Sequence, residues 1–170
     1  MKNISIRTIV IAASIFLVSC MGLQSYVEPL GNQSAILQFT NNAAEPLGVH
    51  IYEDAYDCNK KRRVIWIAPK SQISLRIKAP EATAYSINTE HWAGTKQVGD
   101  TIELLQESCL SMFSFEPKVG GKYEVSYFPV SSGGCHTEAI DSTGTKRKPL
   151  ILTRREFVRP LTNGSYCAKL

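Results

Sequence analysis

The chain has 170 residues, with 19 basic and 15 acidic side chains and a formal charge of +4. This length predicts a single domain with a short appendage. Lys2 and Arg7 are the only charged residues among the first 19, so the remainder carries 17 basic and 15 acidic residues and a charge of +2. So small an excess excludes a charge-based argument for nucleic-acid binding.

The N-terminus has the pattern of a secretory signal. The positive residues Lys2 and Arg7 precede an apolar run from Thr8 to Val18. A helix needs about 20 residues to cross the hydrocarbon layer, so this run is too short to span a membrane comfortably. It matches the apolar region of a signal peptide. A buried N-terminal helix is the alternative, but no polar face interrupts the run. We therefore expect residues 1–19 to be a cleaved signal.

The end of that run resembles the lipobox of bacterial lipoproteins, in the residues Leu17-Val18-Ser19-Cys20. The resemblance implies cleavage before Cys20, a diacylglyceryl group on its thiol and an acyl chain such as palmitate on the new amine. Two or more chains would hold the protein stably on a membrane without a transmembrane helix. Met21, rather than Asp, follows the cysteine and implies the outer membrane. The protein would then face the periplasm or the cell surface.

Four cysteines remain in the mature chain: Cys58, Cys109, Cys135 and Cys167. An even number in an oxidising compartment predicts two disulfides. Sequence alone does not choose among the three pairings. We favour Cys58–Cys109 across the fold and Cys135–Cys167, which would pin the C-terminal tail.

The mature chain predicts strands separated by turns. Residues 20–33 show no sustained period and are expected to form the lipidated N-terminus and a tether. The clearest strand is Ser71–Lys78, where apolar and polar residues alternate. The other expected strands are Ser34–Thr40, Val49–Ile51, Val64–Ile67, Thr83–Asn88, Thr101–Leu105, Leu110–Phe115, Lys122–Phe128, Cys135–Ile140 and, more weakly, Leu150–Thr153.

Many short strands with turn residues about every 8 to 12 positions predict an all-β fold. We expect a disulfide-bonded antiparallel β-sandwich of immunoglobulin-like or transthyretin-like architecture over residues 34–170. A short helix within residues 100–110 is ranked below a strand. Trp66, between Ile65 and Ile67, is expected in the core, while His91-Trp92 is left undecided.

One hairpin carries a second resemblance. Residues 115–123 have the form F-x-P-x-x-G-x-x-Y, with Cys109 before them and Cys135 after. This arrangement resembles small uncharacterised proteobacterial envelope lipoproteins, which end with a Pro-Leu segment, an arginine and a last cysteine. Here Pro149-Leu150, Arg154-Arg155 and Cys167 match that pattern. The resemblance implies a fold and transfers no catalytic residue.

Catalytic and metal motifs are not found in the sequence. Cys135-His136 invites a thiol-nucleophile interpretation, but neighbours on a strand point to opposite faces. His50, His91 and His136 lack the spacing of a metal site. No phosphate-binding or dinucleotide motif occurs. We therefore predict no catalytic residue, no metal and no cofactor.

Basic clusters are the candidate surface contacts. The first comprises Lys60, Lys61, Arg62 and Arg63, and the second comprises Lys146, Arg147 and Lys148. A third includes Arg154, Arg155 and Arg159. They predict contacts with anionic lipid headgroups or an acidic partner; the alternative is a set of solvated loops.

The function predicted from these features is a non-enzymatic, membrane-anchored envelope lipoprotein that binds or scaffolds another envelope protein. One alternative is a periplasmic inhibitor of a wall-degrading enzyme, with the loop Ser131-Ser-Gly-Gly134 as its contact. A hydrolase is ranked below both, because its nucleophile and base would have to converge only in three dimensions.

Overall fold

The computed structural model describes residues 24–58, 63–130, 134–158 and 166–168; for residues 24–25, 90–94 and 103–107 it describes the backbone alone. The strands are β1 Gln24–Ser25, β2 Ser34–Asn41, β3 Leu47–Tyr52, β4 Arg63–Ile67, β5 Gln72–Lys78, β6 Thr83–Val98, β7 Thr101–Phe115, β8 Lys122–Pro129, β9 Cys135–Asp141, β10 Lys148–Pro149 and β11 Thr153–Arg154. Within these described ranges there is no helix long and apolar enough to cross a membrane.

The strands form two sheets. The first has the order β1-β4-β3-β6-β7-β11 and the second β10-β9-β8-β2-β5. Most neighbours are antiparallel, while β1–β4 and β2–β8 are parallel pairs. The inner faces of the two sheets pack on each other, so the expected all-β, disulfide-bonded sandwich is confirmed.

The core follows from the alternation of side chains along each strand. In β2, Ala35, Leu37 and Phe39 are buried, as the period-two pattern predicts. The same alternation buries Leu75 and Ile77 in β5. The further buried aromatic residues of this core are Tyr85, Phe113, Phe115, Tyr123 and Tyr127.

A second, smaller apolar cluster lies on the outer face of the first sheet. Tyr52, Ala84 and Met112 alternate with residues of the main core and therefore point away from it. Cys58 and Cys167 pack on them, so the loop after β3 and the end of the chain cover this face. A bridge between Phe157 and Cys167 holds the two C-terminal segments together.

The expected disulfide pairing is wrong, although both disulfides form. Cys58 is bonded to Cys167 and Cys109 to Cys135. Cys109 lies on β7 near one edge of the first sheet, and Cys135 begins β9 near an edge of the second, so their bond joins the two sheets. The C-terminus is pinned as expected, but to the loop after β3.

Two strands are longer than the sequence indicates. β6 continues ten residues past Asn88, and the runs Thr101–Leu105 and Leu110–Phe115 belong to one strand, β7. Residues 100–110 therefore form a strand, the option ranked above a helix. The weak strand expected at Leu150–Thr153 is replaced by the short β10 and β11 on either side of it.

Trp66 is not in the core: it is 66% exposed, contrary to expectation. Ile65 and Ile67 use the inward positions of β4, and the alternation therefore turns Trp66 outward. Gly48 lies opposite Trp66 on β3. A Cβ atom added to Gly48 would lie 3.2 Å from the indole ring, so the glycine makes room for it.

The described part of the expected tether packs on the sandwich. Gln24 and Ser25 pair with β4. The Tyr26 hydroxyl donates a 2.7 Å hydrogen bond to the Arg76 carbonyl, and the Arg76 N–H donates to a Glu28 carboxylate oxygen at 3.1 Å. Contacts with the sandwich thus begin before Ser34.

The motif at residues 115–123 has a structural explanation. The Tyr123 hydroxyl accepts a 2.8 Å hydrogen bond from the Lys118 N–H and closes the turn between β7 and β8. Gly120 has φ +73°, a conformation that favours glycine. A Cβ at Gly121 would lie 2.5 Å from the Tyr123 hydroxyl. The geometry of the turn therefore accounts for these residue types.

Candidate functional site

The pair Cys135-His136 does not form a nucleophile and base. The Cys135 sulfur is bonded to Cys109, so it has no free thiol. His136 is an exposed residue of β9 whose Nε2 lies 3.4 Å from a Glu138 carboxylate oxygen. Residues 136 and 138 share one face of the strand, whereas residue 135 points to the other. This arrangement gives no support to thiol catalysis.

A groove of about 460 Å³ follows the Cys109–Cys135 bridge between β7 and β9. Ser111, His136 and Arg154 contribute polar side chains to its lining. His136 lies beside the Glu138 carboxylate, which is not a hydroxyl nucleophile. Among the described residues, no cluster of three or more His, Cys, Asp and Glu side chains could hold a metal ion.

The first basic cluster is only partly described, because residues 60–62 lie outside the described ranges. Arg63 has a side chain that is 14% exposed and forms a 3.4 Å ion pair with Glu53. It is therefore part of the wall at the end of the sandwich. An acidic partner would have to displace Glu53 to reach it.

In the second basic cluster, Lys146, Arg147 and Lys148 are exposed. Arg147 donates a 2.5 Å hydrogen bond to Glu124 of β8.

In the third basic cluster, Arg155 is 7% exposed, and its guanidinium donates to the carbonyl oxygens of Ala55, Tyr56 and Ala168. Arg155 is therefore structural, not a surface contact, while Arg159 lies outside the described residues.

The hairpin of β6 and β7 leaves the body of the sandwich. β3 pairs with β6 only from Ala84 to Asn88, and β11 pairs with β7 only at Phe113 and Ser114. Beyond them, residues 89–98 and 101–109 pair with each other alone, apart from a register shift between Trp92 and Gly94. At about 3.3 Å per residue, this two-stranded arm extends roughly 30 Å.

Thr89, at the base of the arm, is buried, whereas the side chains of residues 95–102 are exposed. Ile102 is 70% exposed and Val98 44%, on either side of the Gly99-Asp100 turn. The side chains of His91 and Trp92, left undecided from the sequence, lie outside those described. Isolated two-stranded hairpins are marginally stable in water, and unpaired strand edges are templates for pairing with another chain. The arm therefore has the form of a contact element.

The arm and the N-terminal segment lie at opposite ends of the first sheet. Gln24, Arg63, Ile51 and Tyr85 follow one another across β1, β4, β3 and β6 in one row. β1 is parallel to β4, and both β4 and β6 are antiparallel to β3. β1 and β6 therefore run in the same direction. From Tyr85 to Val98 the strand covers about 40 Å. The chain thus enters β1 from the end away from the arm.

Comparison of the sequence with protein-family models gives no match. Comparison with curated proteins gives none either. Function is therefore inferred from the geometry of this chain.

The sequence analysis missed the arm. The loop Ser131–Gly134, named there as the contact of an inhibitor, stays a prediction, because residues 131–133 lie outside the described ranges. A signal was present in the Gly99-Asp100 turn, since a two-residue turn between runs of strand residues is typical of a hairpin. The polar residues from Thr89 onward hid it, because they interrupt the apolar alternation.

Proposed function

We propose that this protein is a non-enzymatic lipoprotein of the bacterial outer membrane that binds another envelope protein through the β6–β7 arm. The observation that carries the proposal is the arm itself: a paired hairpin of roughly 30 Å whose side chains at residues 95–102 are exposed. Unpaired strand edges of this kind are templates for pairing with another chain.

The position of the expected lipid anchor supports the same proposal. Cys20 precedes β1 by four residues, a reach of at most about 14 Å. β1 begins at the end of the first sheet opposite the arm. A chain lipidated at Cys20 would therefore present the arm away from the membrane surface, where an envelope partner is accessible.

The disulfide between Cys109 and Cys135 supports a positioning role for the sandwich. Cys109 lies opposite Thr89, where the arm leaves the sheet, and the bond ties this point to the second sheet. The base of the arm is thereby fixed, which lowers the entropy lost when the arm binds.

The test is site-specific photo-crosslinking in the intact cell envelope. A photoreactive residue in place of Ile102 should give a discrete crosslinked product, identifiable by mass spectrometry. The matched control is Ile151, which is 91% exposed and lies outside the arm. The purified partner should then bind the wild-type chain and the variant Ile151→Asp, but bind Ile102→Asp at least tenfold more weakly. Equal products from both positions, or equal binding of both variants, would contradict the proposal.

The anchor is tested separately. Cys20→Ala should abolish labelling by a fatty-acid probe and leave an uncleaved or soluble species. Persistent membrane retention, together with an unlabelled wild-type protein, would refute lipidation without bearing on the arm.

An inhibitor of a wall-degrading enzyme is the second candidate, because a slender hairpin is a shape that enters a cleft. Its distinguishing result would be slower lysis of purified cell walls by a muramidase when the wild-type protein is added, with the Ile102→Asp variant inactive. Binding to an envelope protein without any effect on lysis would favour the scaffold.

A further inference from the structure

A cavity of about 240 Å³ lies between the two sheets at the end of the sandwich opposite the arm. Its walls are formed by strand ends and by the N-terminal segment after β1. Six of its eleven lining residues are aliphatic or aromatic: Tyr26, Val27, Pro29, Ile51, Ile77 and Tyr85. The other five are polar or charged, so the cavity combines an apolar wall with hydrogen-bonding groups, as small-molecule sites do.

Two buried hydrogen-bonding groups of the cavity wall have no partner. The Tyr85 side chain is fully buried, and its hydroxyl has no partner in full hydrogen-bond geometry, although the Thr83 side chain lies near enough to interact with it. The Arg63 Nε is also buried without a partner. Unsatisfied buried polar groups are rare in native proteins, and each calls for an explanation. A bound molecule that satisfies both would supply one.

The chemistry of these two groups defines what they would bind. An arginine Nε–H can only donate, and a tyrosine hydroxyl donates when it is neutral. Burial raises the pKa of Tyr85, and nearby Tyr26 acts in the same direction, so the hydroxyl keeps its proton. The neighbouring Thr83 hydroxyl acts in the opposite direction without forming a well-aligned hydrogen bond. The matching ligand group is an oxygen acceptor.

The charges around the cavity are balanced. Arg63 lies 3.4 Å from Glu53, and Lys78 lies 3.7 Å from Glu81. Each cation therefore already has an anion beside it. A carboxylate or phosphate ligand would therefore lose its hydration without meeting a net positive charge, whereas a neutral carbonyl needs no counter-ion.

We infer that this cavity binds a small neutral molecule with an apolar body and a carbonyl oxygen, which accepts hydrogen bonds from the Tyr85 hydroxyl and the Arg63 Nε. A cavity of about 150 Å³ accommodates benzene, so this one suits a body with roughly nine non-hydrogen atoms. Ile51, Ile77 and the Tyr26 ring would contact the apolar part. The site is separate from the arm and does not depend on the proposed partner.

The experiment uses the mature chain and the probe cyclohexanecarboxamide, followed by two-dimensional ¹H–¹⁵N NMR. Saturable shifts are expected at the amides of residues that line the cavity. Tyr85→Phe removes only the unpartnered hydroxyl and should weaken binding roughly three- to tenfold, the effect of one hydrogen bond. Tyr127→Phe is the matched control, since Tyr127 is also a fully buried tyrosine but does not line the cavity.

A second probe tests whether the ligand is neutral. Cyclohexanecarboxylate has the same body but a negative charge, and it should bind more weakly than the amide. Tighter binding of the carboxylate would overturn the inference of a neutral ligand. Unsaturable shifts with the amide, or equal affinities of wild type and Tyr85→Phe, would overturn the site. If Tyr127→Phe does not fold, the exposed Tyr56→Phe serves as the control.

Discussion

The hydroxyl groups of Thr89 and Tyr127 lie 2.6 Å apart in the protein interior. Thr89 belongs to β6, at the point where the arm leaves the first sheet, and Tyr127 belongs to β8 of the second sheet. Thr89 is 4% exposed and Tyr127 1%. The hydrogen bond therefore joins the sheets where water does not compete with it.

Replacing this tyrosine should destabilise the fold. Tyr127→Phe leaves the Thr89 hydroxyl buried without its partner, which is expected to lower the free energy of unfolding by about 1–3 kcal/mol. Tyr85→Phe is the matched substitution at a tyrosine whose hydroxyl has no partner. It should be neutral or stabilise the protein. Urea unfolding monitored by circular dichroism measures both, and a larger loss at Tyr85 than at Tyr127 would contradict the assignment.

The two disulfides should differ in their contribution to stability. Cys58–Cys167 closes a loop with a sequence separation of 109, and Cys109–Cys135 one with a separation of 26. In the chain-entropy model these loops correspond to about 5 and about 3.5 kcal/mol. Double serine variants of each pair, compared by thermal unfolding, should rank in that order. Non-reducing peptide mapping of the wild type should recover these pairs, and a Cys58–Cys109 peptide would refute them.

Arg155 should be essential to the C-terminal part of the fold. Its guanidinium donates to the carbonyl oxygens of Ala55, Tyr56 and Ala168, which lie on segments far apart in sequence. A lysine cannot reproduce this fixed, divergent set of donors. Arg155→Lys should therefore lower the unfolding free energy by about 2–4 kcal/mol, since buried carbonyls lose charged donors.

The matched control is the adjacent, exposed Arg154. Arg154→Lys should change stability by less than about 0.5 kcal/mol. Both variants can be compared by urea denaturation. Equal effects at the two positions would show that the contacts of Arg155 contribute little.

Ionisation of Tyr26 should lower the free energy of unfolding in alkaline solution. Burial raises its pKa from 10.0 to about 12, with the nearby Glu28 carboxylate acting in the same direction. Between these values the unfolded chain releases the tyrosine proton while the folded chain retains it, so the unfolding free energy falls as pH rises. This contribution is complete below pH 10 and is lost by about pH 12.

Tyr26→Phe should flatten that decline, although it lowers stability at neutral pH by removing the hydrogen bond to Arg76. Tyr56→Phe, at a 56% exposed position, should leave the decline as in the wild type. Urea midpoints measured across the alkaline range provide the comparison. An unchanged slope in Tyr26→Phe would show that this hydroxyl is not the group responsible.

The buried faces of the strands could be predicted from sequence where one face alone is covered. Ile77 of β5 and Phe39 of β2 follow simple alternation, and a slip of one residue would expose the whole apolar set. The same rule already placed Trp66 outward. The prediction that Trp66 is in the core was wrong, because it relied on the size and apolar flanks of the residue and not on its position between Ile65 and Ile67.

The features that could not be predicted from the sequence depend on long-range geometry. The pairing of Cys109 with Cys135 reflects which strands meet between the sheets, and local patterns contain no such information. Asn41 reads as a turn residue, yet it is fully buried and its amide donates to the carbonyls of Glu45, Ile67 and Ala68. In the arm, residues 95–102 are exposed on both faces, and so they leave no periodic apolar signal.

The parallel pairing of β1 with β4 determines how the protein would respond to tension. A pull from the N-terminal side acts along the axis of β1, and its hydrogen bonds to Arg63 and Val64 are then loaded together in shear. A partner pulling on the arm acts in the opposite direction along β6, through the same sheet. The Cys109–Cys135 bond passes part of that force to the second sheet. If the chain is anchored at Cys20 and bound at the arm, as proposed, strands rather than loops would connect the two points of attachment.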